Sequence, residues 1–209
     1  MGRFAGLLGN CEDYFTFAKP ALEHPRLERH VKDGVVFLGS GGHGCAYRTA
    51  QGAVLKLAFG GVRGDYDAAV AIKKGRLSGP HFPQIFDHGE LRITKTTSMV
   101  LFVVREDLDD VQSRPVRDVL NNMPADGVVD DRDAWKDWEN VLPSYVLPRL
   151  GANPKLTAAE IEQVKAVGRV LFKAARDGAA MPFDLYSENF GVRADGTIVV
   201  RDFSCWEFD

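Results

Sequence analysis

Leu38-Gly39-Ser40-Gly41-Gly42-His43-Gly44-Cys45-Ala46-Tyr47 is the stretch on which the fold turns. It contains G-x-G-x-x-G, with glycines at 39, 41 and 44. In a dinucleotide-binding fold such a run leads from a strand into a helix, with an acidic residue further on. In a β hairpin it turns the chain back into a second strand. Here Val35-Val36-Phe37-Leu38 precedes it and Cys45-Ala46-Tyr47-Arg48-Thr49 follows, both rich in strand formers. Gln51-Gly52 then turns toward a third run, Ala53-Val54-Leu55-Lys56-Leu57. The returning strand favours the hairpin. A Gly-rich hairpin can stand without a ligand, but glycine also lets backbone N–H groups come close to phosphate oxygens. A phosphate-covering lid over Gly39, Ser40, Gly41, Gly42, His43, Gly44 and Ala46 is therefore the functional expectation.

Outward from this hairpin the chain changes character once. Residues 3–30 carry apolar positions at mixed helical spacing, broken by Pro20 and Pro25, and predict one or two short helices. A helix is expected over Asp65 to Leu77, with Ala68, Ala69, Ala71 and Ile72 as packing positions and Gly79-Pro80 as its stop. Phe82 to Gly89 and Ser98 to Val104 read as two further strands, the second apolar throughout and so central. Beyond Arg105-Glu106-Asp107, residues 110–150 are rich in charge, with Trp135, Trp138 and Tyr145 at helical spacing. Thr157-Ala158-Ala159-Glu160 is a capping box. Ile161, Val164, Val167, Leu171 and Phe172 continue it as an apolar stripe, and Gly178 closes the helix. Two short strands follow, joined by a turn at Asp195-Gly196. Strands first and helices second predict an α+β protein: a helical extension over 1–33, a β-rich lobe over 34–104, and a hinge with a mostly helical lobe over 105–209.

Composition narrows the function. The 209 residues carry 26 Lys and Arg against 29 Asp and Glu, a net charge of -3, which gives no bulk attraction to nucleic acid. No apolar run approaches the roughly 20 residues of a membrane span. The first residues lack a signal-peptide core, and Gly6 stands where an N-myristoylation signal wants Ser or Thr. Cys11, Cys45 and Cys205 are scattered and odd in number, as expected of reduced thiols in a cytoplasmic protein. The five histidines show no zinc spacing. Metal chemistry would run through carboxylates and an amide, a donor set that suits magnesium.

Such a donor set lies near the C-terminus. Phe183-Asp184-Leu185-Tyr186-Ser187-Glu188-Asn189 is followed across a short hairpin by Val199-Val200-Arg201-Asp202-Phe203-Ser204. One carboxylate to meet a hydroxyl, with an amide and a second carboxylate to hold magnesium, is the equipment of phosphoryl transfer. A lysine on a strand is usually a solvated edge residue. Directly after a Gly-rich hairpin, Lys56 would instead reach phosphates, held by an acid on the next helix. Asp65 and Asp67 are the candidates there, with Asp67 favoured.

Together, Gly39-Gly41-Gly44, Lys56, Asp184-Leu185-…-Glu188-Asn189 and Asp202-Phe203 resemble the protein-kinase superfamily, in its order and spacing over residues 35–204. Leu38-Gly39-Ser40-Gly41, Ala46-Tyr47 and Phe183-Asp184 resemble more narrowly the small early-expressed Ser/Thr kinases of short-tailed bacteriophages. The resemblance implies a bilobal kinase-like fold with ATP and Mg2+ as cofactors. It implies that Lys56 places the phosphates, Asp202 and Asn189 hold magnesium, and Asp184 orients the acceptor hydroxyl and takes its proton. Backbone groups near Val104 and Glu106 would meet adenine. Host bacterial proteins would be the substrates, in the host cytoplasm.

The sequence departs from the family in places. Pro182-Phe183-Asp184 replaces H-R-D, so there is no arginine to pair with a phosphorylated activation loop. Tyr186 stands where many Ser/Thr kinases carry lysine, and Ser204 replaces the glycine of D-F-G. With only residues 205–209 beyond Ser204, a minimal C-lobe lacking the activation segment is the expectation. An acceptor protein is thus expected to dock elsewhere, on the charged 105–140 region or the N-terminal extension. Two other readings compete: an aminoglycoside- or choline-kinase-like phosphotransferase, against which Pro182 counts, and a non-catalytic kinase-like inhibitor, which would be expected to have lost Lys56, Asp184, Asn189 or Asp202.

Overall fold

The computed structural model describes residues 18–41, 44–59, 62–93, 98–121, 155–176 and 186–203. The protein is mixed α+β and forms two compact units, Met1–Val70 with Gln84–Asp107, and Ala71–Pro83 with Leu108–Asp209.

The first unit is built on five antiparallel strands: β1 (Val35–Gly41), β2 (Gly44–Thr49), β3 (Ala53–Ala58), β4 (Ile85–Ile93) and β5 (Ser98–Glu106). Their order across the sheet is β1-β2-β3-β5-β4. The Gly-rich stretch is thus a hairpin, with Gly41 opposite Gly44. Strand β5 is interior, paired to β3 on one side and β4 on the other. Leu101 to Arg105 are all buried, which explains why this strand lacks alternation.

Period-two alternation elsewhere defines the core. Cys45 and Tyr47 from β2, Leu55 and Leu57 from β3, Leu91 and Ile93 from β4, and Phe102 and Val104 from β5 share one buried cluster. Ala18, Ala21, Leu22, Leu27 and Val31 join it from residues 18–31, where a helical turn, a short 3-10 turn and helix α1 (Glu28–Val31) follow one another. Burying a leucine or valine contributes about 1.5–3 kcal/mol, so Leu22, Leu27 and Val31 make the described part of the N-terminal segment part of the core. Arg26 fastens it, donating to Glu90 O at 3.2 Å with its guanidinium 5.2 Å from the Phe102 ring centroid. Arg29 and His30 add contacts to Asp87 at 2.6 and 2.9 Å.

Helix α2 (Gly64–Lys73) starts and stops earlier than its apolar pattern suggests. The N–H of Gly75 returns to Ile72 O and that of Arg76 to Ala71 O, at 3.0 and 2.9 Å. This is the paired closure of a Schellman motif, and Gly75 supplies the positive φ of 74° that it needs. Strand β4 also begins later than expected, at Ile85. Pro83 has no N–H for the ladder, and the chain before it folds with the second unit.

In the second unit, β6 (Asp109–Asp110), β7 (Phe190–Val192) and β8 (Ile198–Val200) form a small antiparallel sheet. The Asp195-Gly196 turn joins β7 and β8, Asp195 Oδ1 accepting the Thr197 N–H at 2.9 Å. Helix α3 (Arg114–Leu120) follows β6, and α4 (Ala158–Arg176) opens with the expected capping box. Thr157 N–H donates to Glu160 Oε2 at 2.8 Å, and Glu160 N–H to Thr157 Oγ1 at 3.2 Å. The stripe of α4 buries Val164, Val167, Leu171 and Ala174.

Residues 80–82 run beside β8. His81 O accepts the Val200 N–H at 2.9 Å. His81 Nδ1 lies 2.7 Å from Ile198 O, and since a carbonyl only accepts, Nδ1 carries the proton. Arg193 donates to the carbonyls of Pro80 and Phe82, and the Phe82 ring stacks on Phe203. Trp135, Trp138 and Tyr145 lie outside the described residues, as does Gly178. Among the described residues no helix is long and apolar enough to cross a membrane.

Candidate functional site

Strand register assembles the first cluster. Gly39 pairs with Ala46, Ala46 with Lys56, and Lys56 with Val103. Cross-strand partners share a face, so Gly39, Ala46 and Lys56 form one row on the face opposite the Tyr47–Leu55–Phe102 core. Gly44 is required by close packing: a Cβ there would sit 2.0 Å from Leu57 O, a ladder carbonyl. Gly42 and His43, between β1 and β2 in the chain, lie outside the described residues.

The ammonium of Lys56 lies 2.5 Å from Asp65 Oδ2, with the two side chains only 16% and 10% exposed. The preference for Asp67 is thereby corrected. Asp67 turns to Arg63, four residues earlier, whose Nε and Nη2 reach its two oxygens at 3.2 and 3.3 Å. That hydrogen bond raises the proton affinity of the Arg63 guanidinium, which also lies over the Tyr66 ring. Periodicity separates the two acids. Asp65 and Asp67 are two positions apart on a helix, so only one can face the sheet.

Of the groups expected near adenine, Val104 is 1% exposed and shares the core face with Leu55, its cross-strand partner. Its side chain is on the other side of the sheet from Lys56. Glu106 has its N–H donated to Gln84 O at 3.0 Å and its carbonyl bonded by Arg105 Nη1 at 3.1 Å. Its carboxylate accepts the Gln84 N–H at 2.8 Å.

The second cluster, in the other unit, surrounds Asn189 and Asp202. Asn189 ends a 3-10 turn, Ser187–Asn189, immediately before β7, and Asp202 lies two residues beyond β8. The Asn189 carbonyl accepts two N–H groups, from Arg201 at 2.8 Å and from Asp202 at 3.3 Å. The two candidate metal residues are therefore linked directly through their backbones. Arg201 Nε donates to Glu188 O at 2.8 Å, and its Nη1 meets Asp110 Oδ1 at 2.6 Å. Asn121, at the end of α3, accepts the Ser187 N–H at 2.6 Å. Neither Arg201 nor Asn121 carries a sequence signal of its own, apart from Arg201 preceding Asp202.

Asp184 lies outside the described residues, as does Ser204. Among the described residues no group of three or more His, Cys, Asp or Glu could hold a metal. An amide and one carboxylate fit magnesium better than zinc, because magnesium commonly takes one or two protein oxygens and completes its shell with phosphates and water. Both side chains are partly exposed, which leaves room for such ligands.

Neither protein-family models nor curated proteins give a match to this chain.

Proposed function

We propose that this protein is an ATP- and Mg2+-dependent serine/threonine protein kinase, similar to the small kinases of short-tailed bacteriophages. The observation that carries the reading is the Lys56–Asp65 ion pair, aligned with Gly39 and Ala46 behind a Gly-rich hairpin. A lysine fixed by a carboxylate beside such a hairpin is suited to neutralising phosphate oxygens. In this reading the five-stranded unit is a kinase-like N-lobe and the second unit a C-lobe.

Each residue then has a task. Lys56 places the phosphates, while Asn189 and Asp202 hold magnesium. A magnesium ion held there would supply charge neutralisation to the phosphates. Asp184 orients a serine or threonine hydroxyl and accepts its proton as the oxygen bonds to the γ phosphorus. The bond to the bridging oxygen breaks and ADP leaves. Positioning and electrostatics supply most of the rate in such chemistry. The acceptors are host proteins in the bacterial cytoplasm.

The test is transfer of label from γ-labelled ATP, with magnesium, to proteins of a bacterial lysate, beside an Asp184→Ala variant. Labelled protein bands that vanish in the variant support the proposal. Label confined to small molecules would turn the reading to a small-molecule phosphotransferase. A folded, ATP-binding protein that transfers nothing would be a kinase-like inhibitor. Label arriving from α-labelled ATP would mean nucleotidyl transfer instead.

A further inference from the structure

We propose that Arg201 is a positioning residue for a divalent cation held by Asn189 and Asp202, acting through the backbone of the turn that carries Asn189. The proposal rests on the reading of these two residues as metal ligands.

Magnesium demands near-ideal octahedral geometry at about 2.0–2.1 Å. With two protein ligands, any slip of one against the other is felt directly at the ion. The shared Asn189 carbonyl sets their spacing from one side. The N–H of the preceding peptide is held within the turn, donating to Tyr186 O at 2.9 Å, but its carbonyl, Glu188 O, is outside that bond, and tilting of this peptide would swing the amide of Asn189. Arg201 holds the other end of the same peptide by donating Nε to Glu188 O at 2.8 Å. The far end of its guanidinium is fixed by Asp110 of β6, which lies opposite Gly191 of β7, two residues beyond Asn189. The contacts close a circuit from β6 to β7, through the turn to Arg201, and back to β6.

As a stabilising ion pair this contact is weak. The Asp110 side chain is 69% exposed, and such pairs contribute little to folding. Electrostatics and positioning then make opposite predictions. A guanidinium adjoining Asp202 in sequence repels a cation, so if Arg201 acted by charge its loss would tighten metal binding. If it acts by holding the turn, its loss weakens binding.

The experiment is binding of Mn2+ to the full chain with excess ADP, followed by electron paramagnetic resonance of the free ion. Wild type is compared with Arg201→Ala, Arg201→Lys, Asp110→Asn and Asp202→Ala. Arg201→Ala is expected to weaken Mn2+ binding about tenfold or more, as loss of a residue supporting a metal ligand does. Asp110→Asn should lie between Arg201→Ala and wild type, and Arg201→Lys should recover part of the loss by keeping one donor on Glu188 O. Mn2+ bound equally or more tightly by Arg201→Ala, with binding lost in Asp202→Ala, would overturn the positioning role and leave the metal site standing. Unchanged binding in Asp202→Ala would overturn the metal site, and the role of Arg201 with it.

Discussion

Lys56 and Asp202 are held by opposite means. Lys56 sits mid-strand, its place fixed by register with Ala46 and Val103, and its ammonium meets the Asp65 carboxylate from α2. Asp202 follows the end of a strand, where there is no ladder to hold it. Its place is set by hydrogen bonds to the Asn189 carbonyl and by the arginine beside it. The first arrangement fails when a partner charge is lost; the second fails when a turn slips. The first should therefore be sensitive in stability and the second in ligand geometry.

The strongest way to break this contrast is to remove the acid that pairs with Lys56. Asp65→Ala takes a carboxylate away from a largely buried ammonium and is expected to cost about 3 kcal/mol in urea unfolding. Asp67→Ala removes only a pair within one helix turn and should cost about 0.5 kcal/mol. Equal costs would show that the helix does not present Asp65 to the sheet. Next in size is Gly44→Ala, whose Cβ would press on Leu57 O. A shift of about 2–3 kcal/mol is expected in the same measurement, and a neutral result would mean that β2 and β3 are further apart than the register requires.

Smaller effects sharpen the comparison. Thr157→Ala removes the cap of α4 and should lower stability by about 1 kcal/mol, read as a shift in thermal midpoint. Asp87 tests the attachment of the N-terminal segment to β4. Burial pushes its carboxyl up from the ordinary value of 3.8, but hydrogen bonds from His30 and Arg29 outweigh this and leave it lowered. The resulting stability is full above pH 3.8 and is lost as the pH falls through the lower folded value. Asp87→Asn should thus trail wild type by about 1 kcal/mol near neutrality, and the gap should close in acid. A gap independent of pH would remove the charge from the explanation.

How much of this was legible depended on the range of the interaction. The Gly-rich hairpin, the capping box and the Asp195-Gly196 turn are encoded within a few residues and stand where the sequence puts them. The unalternating Ser98 to Val104 run marked an interior strand for the same local reason. Leu91 and Ile93 alternate with Glu90 and Arg92 and extend β4 beyond its expected end at Gly89. The choice between Asp65 and Asp67 turned on which side of α2 meets the sheet, a tertiary fact. Arg201 and Asn121 act on residues 13 and 66 positions away through backbone carbonyl and amide groups, for which no local pattern exists. Residues 80–82 likewise owe their place to Arg193 and β8, far along the chain.

The central proposal is that Lys56 acts on the phosphates of ATP and that Asp202 acts through magnesium. Calorimetric titration of ATP, with and without Mg2+, into wild type and folded Lys56→Met and Asp202→Ala variants tests this most directly. The account predicts that Lys56→Met weakens ATP binding about tenfold or more in both conditions, a loss of about 1.4 kcal/mol or more. Asp202→Ala should keep the magnesium-free affinity and lose the gain that Mg2+ gives to wild type. Wild-type affinity in both variants, or a wild type that does not bind ATP, would contradict it.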